Sequence, residues 1–190
     1  MPNWCQNQFS VKSPDEETLN KFLESVKGKD KEENPLPLDF EKILPTPPEL
    51  LGRTASALRE NRSDEDKRLA EKYGTPDWYH WRLENWGTKW NLCSDTDLDV
   101  VGNEAFFRFD SAWTPPCYVL DHLFTLWPTL EAELLYCEFG CDFAGKRFWR
   151  KGILYGEVDY RNIIVPPARD IVEREMNIDV REWTGENDES

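Results

Sequence analysis

The sequence predicts an α+β protein whose strands form one antiparallel sheet. Three observations support this fold class. Several segments alternate apolar and polar residues, as half-buried strands do. Two other segments repeat apolar residues at the spacing of amphipathic helices. A tryptophan-rich segment separates the two halves of this pattern. A length of 190 residues is enough for one domain that carries a large insertion.

The N-terminal part is predicted to form a strand, a helix and a second strand. Residues 4–11 alternate, with one side made of Cys5, Asn7, Phe9 and Val11. Residues 13–16 read Ser-Pro-Asp-Glu, a capping box with proline at the first helical position. The next helix carries Leu19, Phe22, Leu23 and Val26 and ends at Gly28. Residues 38–44 are predicted as the second strand, closed by a group of prolines.

Residues 49–100 are predicted to be an insertion. Its first part, residues 49–72, is rich in charge and indicates exposed helix and loop. A helix is predicted over residues 76–86, because Thr75 can cap it and Gly87 can end it. Aromatic side chains fall on more than one face of this helix, so it must be covered on more than one side. It is therefore predicted to be either a plug in the core or the wall of a pocket.

The second half repeats the pattern of strand and helix. Residues 104–113 and 131–139 are predicted strands. The helix between them carries Leu120, Leu123, Phe124 and Trp127. Residues 146–160 are typical of a hairpin that turns at Lys151-Gly152. In the last segment, residues 168–190, a short docked helix is indicated by Ile171, Val172 and Met176, and an acidic tail comes after it.

With the insertion set aside, the order is strand, helix, strand, strand, helix, strand. This is the order of a ferredoxin-like split βαβ sheet, here with an extra C-terminal hairpin. We expect residues 1–165 to form that domain and residues 166–190 to form a docked C-terminal segment and tail. Both helices of this fold lie on one face of the sheet, so the other face needs a cover. The tryptophan-rich insertion is predicted to supply that cover, close to Trp4 and Trp113.

Several long motifs in residues 1–150 resemble those of one family. They read MPNWCQN, LPTPPEL, DWYHWRLENWGTKWN, FDSAWTPP and EFGCDFAG. Together they resemble the YubB-like proteins of plasmids and phages. The resemblance implies a ferredoxin-like domain, without an iron–sulfur cluster, in a small cytosolic protein of bacterial mobile elements. It implies no assigned activity and no catalytic residue.

The charge and the cysteines limit the classes of partner. A net charge of −14 and a pI of about 4.6 oppose general attraction to nucleic acid or to an anionic membrane. Residues 105–109 match the end of an RNA-recognition consensus, but the basic residue and glycine expected before it are absent. Five irregularly spaced cysteines without a signal peptide indicate reduced thiols in the cytoplasm of a bacterial host cell. No apolar run is long enough to span a membrane.

No metal or cofactor is predicted. Cys137 and Cys141 are one close cysteine pair, whereas a structural zinc usually needs two close pairs of ligands. The aspartates at 95, 97 and 99 resemble the start of a calcium loop, but the glycine and glutamate that complete such a loop are missing. A glycine-rich phosphate loop is also absent from the sequence.

The favoured function is a non-enzymatic binding or interaction module, with a host protein of basic surface as its partner. The first alternative is a small anionic ligand or nucleotide held in an aromatic pocket, whose predicted residues are Trp81, Arg82, Asn85, Trp86, Lys89, Trp90, Trp113 and Glu138. The second alternative is an enzyme that uses the carboxylates of Glu138, Asp142 and Asp110 as acid and base. Imitation of a polyanion such as DNA is a further explanation of the negative charge. The oligomeric state and the identity of the partner stay open.

Overall fold

A computed structural model describes residues 3–30, 32–53, 63–92 and 95–180. The strands are β1 (Trp4–Lys12), β2 (Gly28–Lys29), β3 (Pro35–Leu36), β4 (Asp97–Val101), β5 (Glu104–Ala112), β6 (Glu131–Glu138), β7 (Phe143–Arg150) and β8 (Ile153–Arg161). The α-helices are α1 (Glu16–Val26), α2 (Phe40–Ile43), α3 (Asp64–Tyr73), α4 (Trp78–Asn85), α5 (Cys117–Leu126) and α6 (Ala168–Asp170). A 3₁₀ turn spans Pro48–Leu50, and a π-helical turn, Ile171–Glu175, continues α6.

Six strands form one antiparallel sheet in the order β4-β5-β1-β6-β7-β8, and β2 pairs with β3 separately. The predicted α+β class is confirmed. β1 lies at the centre, where Phe9 is opposite Phe107 on one side and Leu134 on the other. Lys151 and Gly152 join β7 to β8, and both have positive φ angles, of 54° and 76°. Such angles match the twist of a tight hairpin, so this turn lies where the sequence predicts it.

The main core lies between one face of the sheet and helices α1 and α5. Phe9 of β1 packs there against the rings of Phe107, Phe124 and Trp149. Phe22 of α1 is fully buried in the same core. These side chains are the apolar ones that the strand and helix periodicities select, so local pattern and burial agree.

The tryptophan-rich helix α4 lies on this same face. Trp81 and Trp86 belong to the same core as Phe9, and the Trp86 carbonyl oxygen accepts a hydrogen bond of 3.3 Å from the N–H of Val119 in α5. The prediction that the insertion covers the opposite face of the sheet is therefore wrong. Its helix packs beside α5. Trp86 also contacts Phe40 of α2, with 5.7 Å between the centroids of the two rings.

The opposite face is covered in part by the C-terminal segment. Ile171, Val172 and Met176 pack there against Leu135 and Cys137 of β6. The docked C-terminal helix, and not the insertion, therefore covers this face of the sheet. Towards the Lys12 end of β1 the face stays open, because the segment does not reach it; Phe106 and Tyr155 are exposed there.

The predicted second strand over residues 38–44 is also wrong. Asp39 instead caps α2 by accepting a hydrogen bond from the N–H of Glu41. The strand that pairs with β5 on the side away from β1 is β4, which lies at the end of the segment predicted as an insertion. Long-range contacts fix α2, since the N–H of Phe40 donates to the side-chain oxygen of Asn91 at 2.9 Å. Within the described ranges, every helix is too short or too polar to cross a bilayer.

Candidate functional site: an exposed tryptophan patch

The end of α4 directs the next loop towards the start of β1. Asp77 caps the helix by accepting a hydrogen bond of 3.0 Å from the N–H of His80. Gly87 ends it with a φ of 87°, a conformation that suits glycine. A Cβ at this position would lie 3.0 Å from the carbonyl oxygen of Pro115. Glycine therefore allows the loop to pass close to the start of α5 and to carry Lys89 and Trp90 outwards.

Half of the predicted pocket residues lie at or inside the core. Trp86 is fully buried, and its indole N–H donates to the carbonyl oxygen of Leu44 at 2.8 Å. The Arg82 guanidinium lies 4.4 Å from the centre of the Trp86 ring and pairs with Glu41 at 2.5 Å. Trp81 is buried, and Asn85 is occupied by a hydrogen bond to the Trp81 carbonyl oxygen. These four residues do not form the wall of an opening, so here α4 acts as a core plug.

The other two tryptophans of the predicted site, Trp90 and Trp113, form a cluster at the surface with Lys89 and with Trp4, which is outside the predicted site. We call Trp4, Lys89, Trp90 and Trp113 the tryptophan patch. The exposed fractions of the indole residues Trp4, Trp90 and Trp113 are 40%, 39% and 43%. The rings of Trp4 and Trp90 have centroids 6.0 Å apart. The Lys89 ammonium lies 4.2 Å from the centre of the Trp90 ring and 5.8 Å from that of Trp113, close enough for cation–π attraction.

Hydrogen bonds between separate elements hold the patch in place. The N–H of Trp113 donates to the Asn3 carbonyl oxygen at 3.0 Å. The hydroxyl of Thr88 donates to the carbonyl oxygen of Ala112 at 2.9 Å, which joins the loop after α4 to the end of β5. Trp113 has a φ of 71°, a left-handed conformation that is unfavourable for an aromatic residue. Strained backbone of this kind concentrates at functional sites.

Glu138 lies at the same end of the sheet but is not part of the patch. It is buried, and its carboxylate accepts hydrogen bonds from the N–H groups of Gly140 and Cys141 at 2.8 and 2.5 Å. It therefore stabilises the turn after β6 and does not face a ligand. The predicted pocket of eight residues is thus divided into core residues, a turn carboxylate and the exposed patch.

The predicted acid–base carboxylates do not converge. Asp110 pairs across the sheet with Gln6, and Gln6 pairs on its other side with Cys137. These three side chains share one face of the sheet, so Glu138, the residue after Cys137, lies on the opposite face. Asp142 lies beyond β6, where its side chain accepts a hydrogen bond from the N–H of Ile163 at 2.8 Å. Burial, with a smaller contribution from Asp95, raises the pKa of Asp110. Alternation along the strands decides this outcome, because it places neighbouring strand residues on opposite faces.

The cysteines of the described ranges are not activated nucleophiles. Burial raises the pKa of Cys5 well above its ordinary value, and it raises those of Cys117 and Cys137 to about 12. The exposed Cys141 also has a raised pKa, mainly because of its hydrogen bond with Glu138. These thiols stay protonated at neutral pH and react slowly. Across residues 3–30, 32–53, 63–92 and 95–180, His, Cys, Asp and Glu side chains form no group of three that could hold a metal ion.

Trp4 is not among the site residues predicted from the sequence. The signal is present, since Trp4 falls on the polar, outward side of the alternating first strand. An indole at such a position is exposed unless another element covers it. Trp90 lies close to Trp4, as predicted for the tryptophan-rich segment.

The comparisons with known proteins identify no family. No family model matches the chain, and no curated protein does. Among solved structures, the chain is similar to the crystal structure of a protein api92 from Yersinia pseudotuberculosis, which carries the family model DUF1281. The TM-score is 0.47 and the sequence identity is 10%, with 84% of this chain and 98% of that chain covered.

Proposed function

We propose that this protein is a non-enzymatic binding module that recognises a partner protein through its tryptophan patch. The observation that carries the proposal is the exposure of three clustered indoles around one lysine. Tryptophan is enriched among the residues that contribute most to binding at protein interfaces. Strain at Trp113 presents one of these indoles outwards, and the hydrogen bonds from Thr88 and Trp113 pre-organise the surface.

The partner we propose is a host protein with a basic surface around an apolar pocket. The net charge of −14 would attract such a surface and speed the encounter. The indoles would then enter the apolar pocket and provide most of the affinity. The two contributions respond differently to salt, because salt screens charges and leaves apolar contacts intact.

A second candidate function is the binding of a small anionic aromatic ligand, such as a nucleotide, at the same patch. Lys89 favours this candidate, because no carboxylate of the described residues lies within ion-pair distance of its ammonium group. An aromatic base could stack on Trp90 while its phosphate meets Lys89. This ligand differs from the partner protein in size and can be tested separately.

We also propose a fold family and a biological origin for this protein. We infer that β1, β4, β5 and β6, with α1 and α5, form a ferredoxin-like unit. The antiparallel order β4-β5-β1-β6 supports this inference, since the first strand then lies between the third and the fourth. Motifs in residues 1–150 support membership of the YubB-like proteins, and with it the cytoplasm of a bacterial cell that carries a plasmid or phage.

The experiment is affinity capture from a host-cell extract with the full chain as bait. Trp90→Ala and Trp113→Ala should each reduce capture of the partner at least about tenfold. Tyr155→Ala is the matched control, because Tyr155 is an exposed aromatic residue near the other end of the sheet. Capture should also weaken at about 0.5 M salt. An identical set of captured proteins with the two tryptophan variants would contradict the proposal.

The second candidate is tested by titrating nucleotides against tryptophan fluorescence. Saturable quenching that Lys89→Ala removes would favour the small anionic ligand. Lys67→Ala is the control, since Lys67 lies on α3 and pairs with Asp64 at 2.9 Å. An unchanged fluorescence signal across the panel would exclude this candidate and leave the partner protein.

A further inference from the structure

The open part of the sheet forms a trough on the face opposite α1 and α5. One row of paired residues crosses the sheet there, made of Asp99, Phe106, Ser10, Glu133, Phe148 and Gly156. Phe106 and Phe148 are three strands apart, or about 14 Å at the usual strand spacing. Ser10 is small, so the rings enclose a space above it. The resulting cavity has a volume of 570 Å³.

Two features mark the ends of the trough along the strands. At one end the C-terminal segment covers the sheet, where Gln8 donates a hydrogen bond of 2.7 Å to the carbonyl oxygen of Met176. At the other end two ion pairs cross the sheet, Lys12 with Glu104 and Arg150 with Glu131, each at 2.7 Å. A cavity of this volume is in the range that small molecules occupy.

One carboxylate that lines the trough, that of Glu133, forms no ion pair with the described residues. The other charged side chains that line it are the four that form the two end pairs. Glu133 has no basic side chain of the described residues within ion-pair distance. Lys146, on the neighbouring strand, is held by both oxygens of Glu175 at 2.9 Å. Partial burial raises the pKa of Glu133, although the charge of the nearby Lys146 acts in the opposite direction.

We propose that this trough binds a small organic ammonium ion, whose charge pairs with Glu133 and whose apolar body packs between Phe106 and Phe148. An anion would be repelled by Glu133, and a neutral apolar molecule would leave this carboxylate desolvated and unpaired. A cation removes that penalty and is also attracted to aromatic rings. The site is independent of the tryptophan patch, because it lies at the Lys12 end of β1 and the patch lies at the Trp4 end.

The test is an NMR titration of the full chain with phenethylammonium chloride. We expect saturable shifts of the amide signals of Ser10, Phe106, Glu133 and Phe148. The neutral isostere 2-phenylethanol should bind at least about tenfold more weakly, and phenylacetate should give no shifts, because charged hydrogen bonds contribute this much or more. These comparisons need no variant, so they do not depend on the folding of an altered chain.

Variants provide the second arm of the test. Glu133→Gln keeps the shape of the side chain and should weaken phenethylammonium binding at least about tenfold. Glu24→Gln is the matched control, since Glu24 is an exposed residue of α1 on the other side of the sheet. Equal affinity for 2-phenylethanol and phenethylammonium, or unchanged affinity in Glu133→Gln, would overturn the proposal. Tighter binding of a lysine-containing peptide would also overturn it, because the face would then be a polypeptide docking surface.

Discussion

The indole N–H of Trp86 donates a hydrogen bond to the carbonyl oxygen of Leu44 at 2.8 Å. This contact joins the tryptophan-rich segment to the residue directly after α2, 42 positions earlier in the chain. In the predicted strand over residues 38–44, the carbonyl oxygen of Leu44 would instead accept a hydrogen bond from a neighbouring strand. Phe40 completes the contact, with its ring edge-to-face on Trp86. The two segments therefore support each other's conformation.

Replacing Trp86 should destabilise the protein strongly. Trp86→Ala should lower the free energy of unfolding by about 3–5 kcal/mol, because it leaves a large cavity. Trp86→Phe keeps much of the packing and should cost about 1–2 kcal/mol, chiefly from the lost hydrogen bond to Leu44. Urea denaturation measures both. Trp90→Ala, in the patch, should change the value by less than about 1 kcal/mol. A loss for Trp90→Ala as large as that for Trp86→Ala would contradict the division of α4 and its loop into core and surface.

Asp121 should be a second centre of stability. Its carboxylate accepts a hydrogen bond of 2.8 Å from the Trp149 indole and pairs with the buried Arg147 at 3.1 Å. Asp121→Ala leaves both donors without this partner and should lower the free energy of unfolding by about 2–3 kcal/mol. Glu157→Ala should cost less, because Glu157 is more exposed and contacts Arg147 alone. Thermal and urea unfolding of the two variants would compare them. Equal losses would contradict the prediction that Asp121 is the more important partner.

Glu49 should give the contact between the 3₁₀ turn and α3 a pH dependence. Hydrogen bonds from Lys72 and Tyr73, at 2.6 and 2.5 Å, lower the pKa of Glu49 to about 2. Because the folded pKa lies below the ordinary value of 4.5, the stabilising contribution is fully present above that value. It should be lost as the pH falls towards 2. An NMR titration of the Glu49 carboxyl carbon measures this directly.

The control for that titration is Glu49→Gln, which has no carboxylate to protonate. The amide signals of Lys72 and Tyr73 should shift between pH 4.5 and 2 in the natural chain and stay constant in the variant. A midpoint near 4.5 for the Glu49 carboxyl would mean that the hydrogen bonds to Lys72 and Tyr73 do not persist in solution.

The thiols should react in the order of their exposure. In a Cys93→Ser variant, Cys141 should be alkylated first, since it is exposed while Cys5 and Cys137 are buried. Its reaction rate should still rise above pH 9, because the hydrogen bond with Glu138 raises the pKa of the thiol. Mass spectrometry after timed iodoacetamide treatment gives the rate at each site. Fast labelling of Cys141 at neutral pH would contradict the contact with Glu138.

Substitutions of Trp113 should separate its effect on stability from its effect on partner binding. The φ angle of Trp113 is 71°, which glycine adopts without strain and alanine does not. Trp113→Gly should therefore relieve the backbone strain, and Trp113→Ala should retain it. The glycine variant should therefore be more stable than the alanine variant by about 1 kcal/mol, measured by urea denaturation. Both should lose partner capture to the same extent. Equal stability of the two variants would show that the backbone at this position is not strained.

Local pattern predicts much of this fold. The alternation in residues 4–11 and 104–113 and the helical spacing of Leu19 and Leu120 depend on which side of one element is buried. Such patterns depend only on residues that are near one another in the chain. The structure accordingly has the predicted elements β1, β5, α1 and α5 at their predicted positions. The docked helix near residue 171 and the turn at Lys151-Gly152 are predicted for the same reason.

The candidate site is predicted only in part. The sequence indicates Lys89, Trp90 and Trp113, but it groups them in one pocket with Trp81 and Trp86. Burial separates these residues: Trp86 is fully enclosed and Trp90 is 39% exposed, although the two are close in the chain. The difference comes from the turn at Gly87, which directs Lys89 and Trp90 away from the core. No local signal reports where such a turn points.

Sequence patterns alone establish the class of the protein, the position of most elements and the aromatic residues from which the site is drawn. Three further points depend on tertiary packing: residues 40–43 are helical, α4 lies beside α5, and a trough around Glu133 stays open. Each requires contacts between residues far apart in the chain, such as Phe40 with Asn91. Their free energies exceed local preferences, and they exist only once the chain has folded.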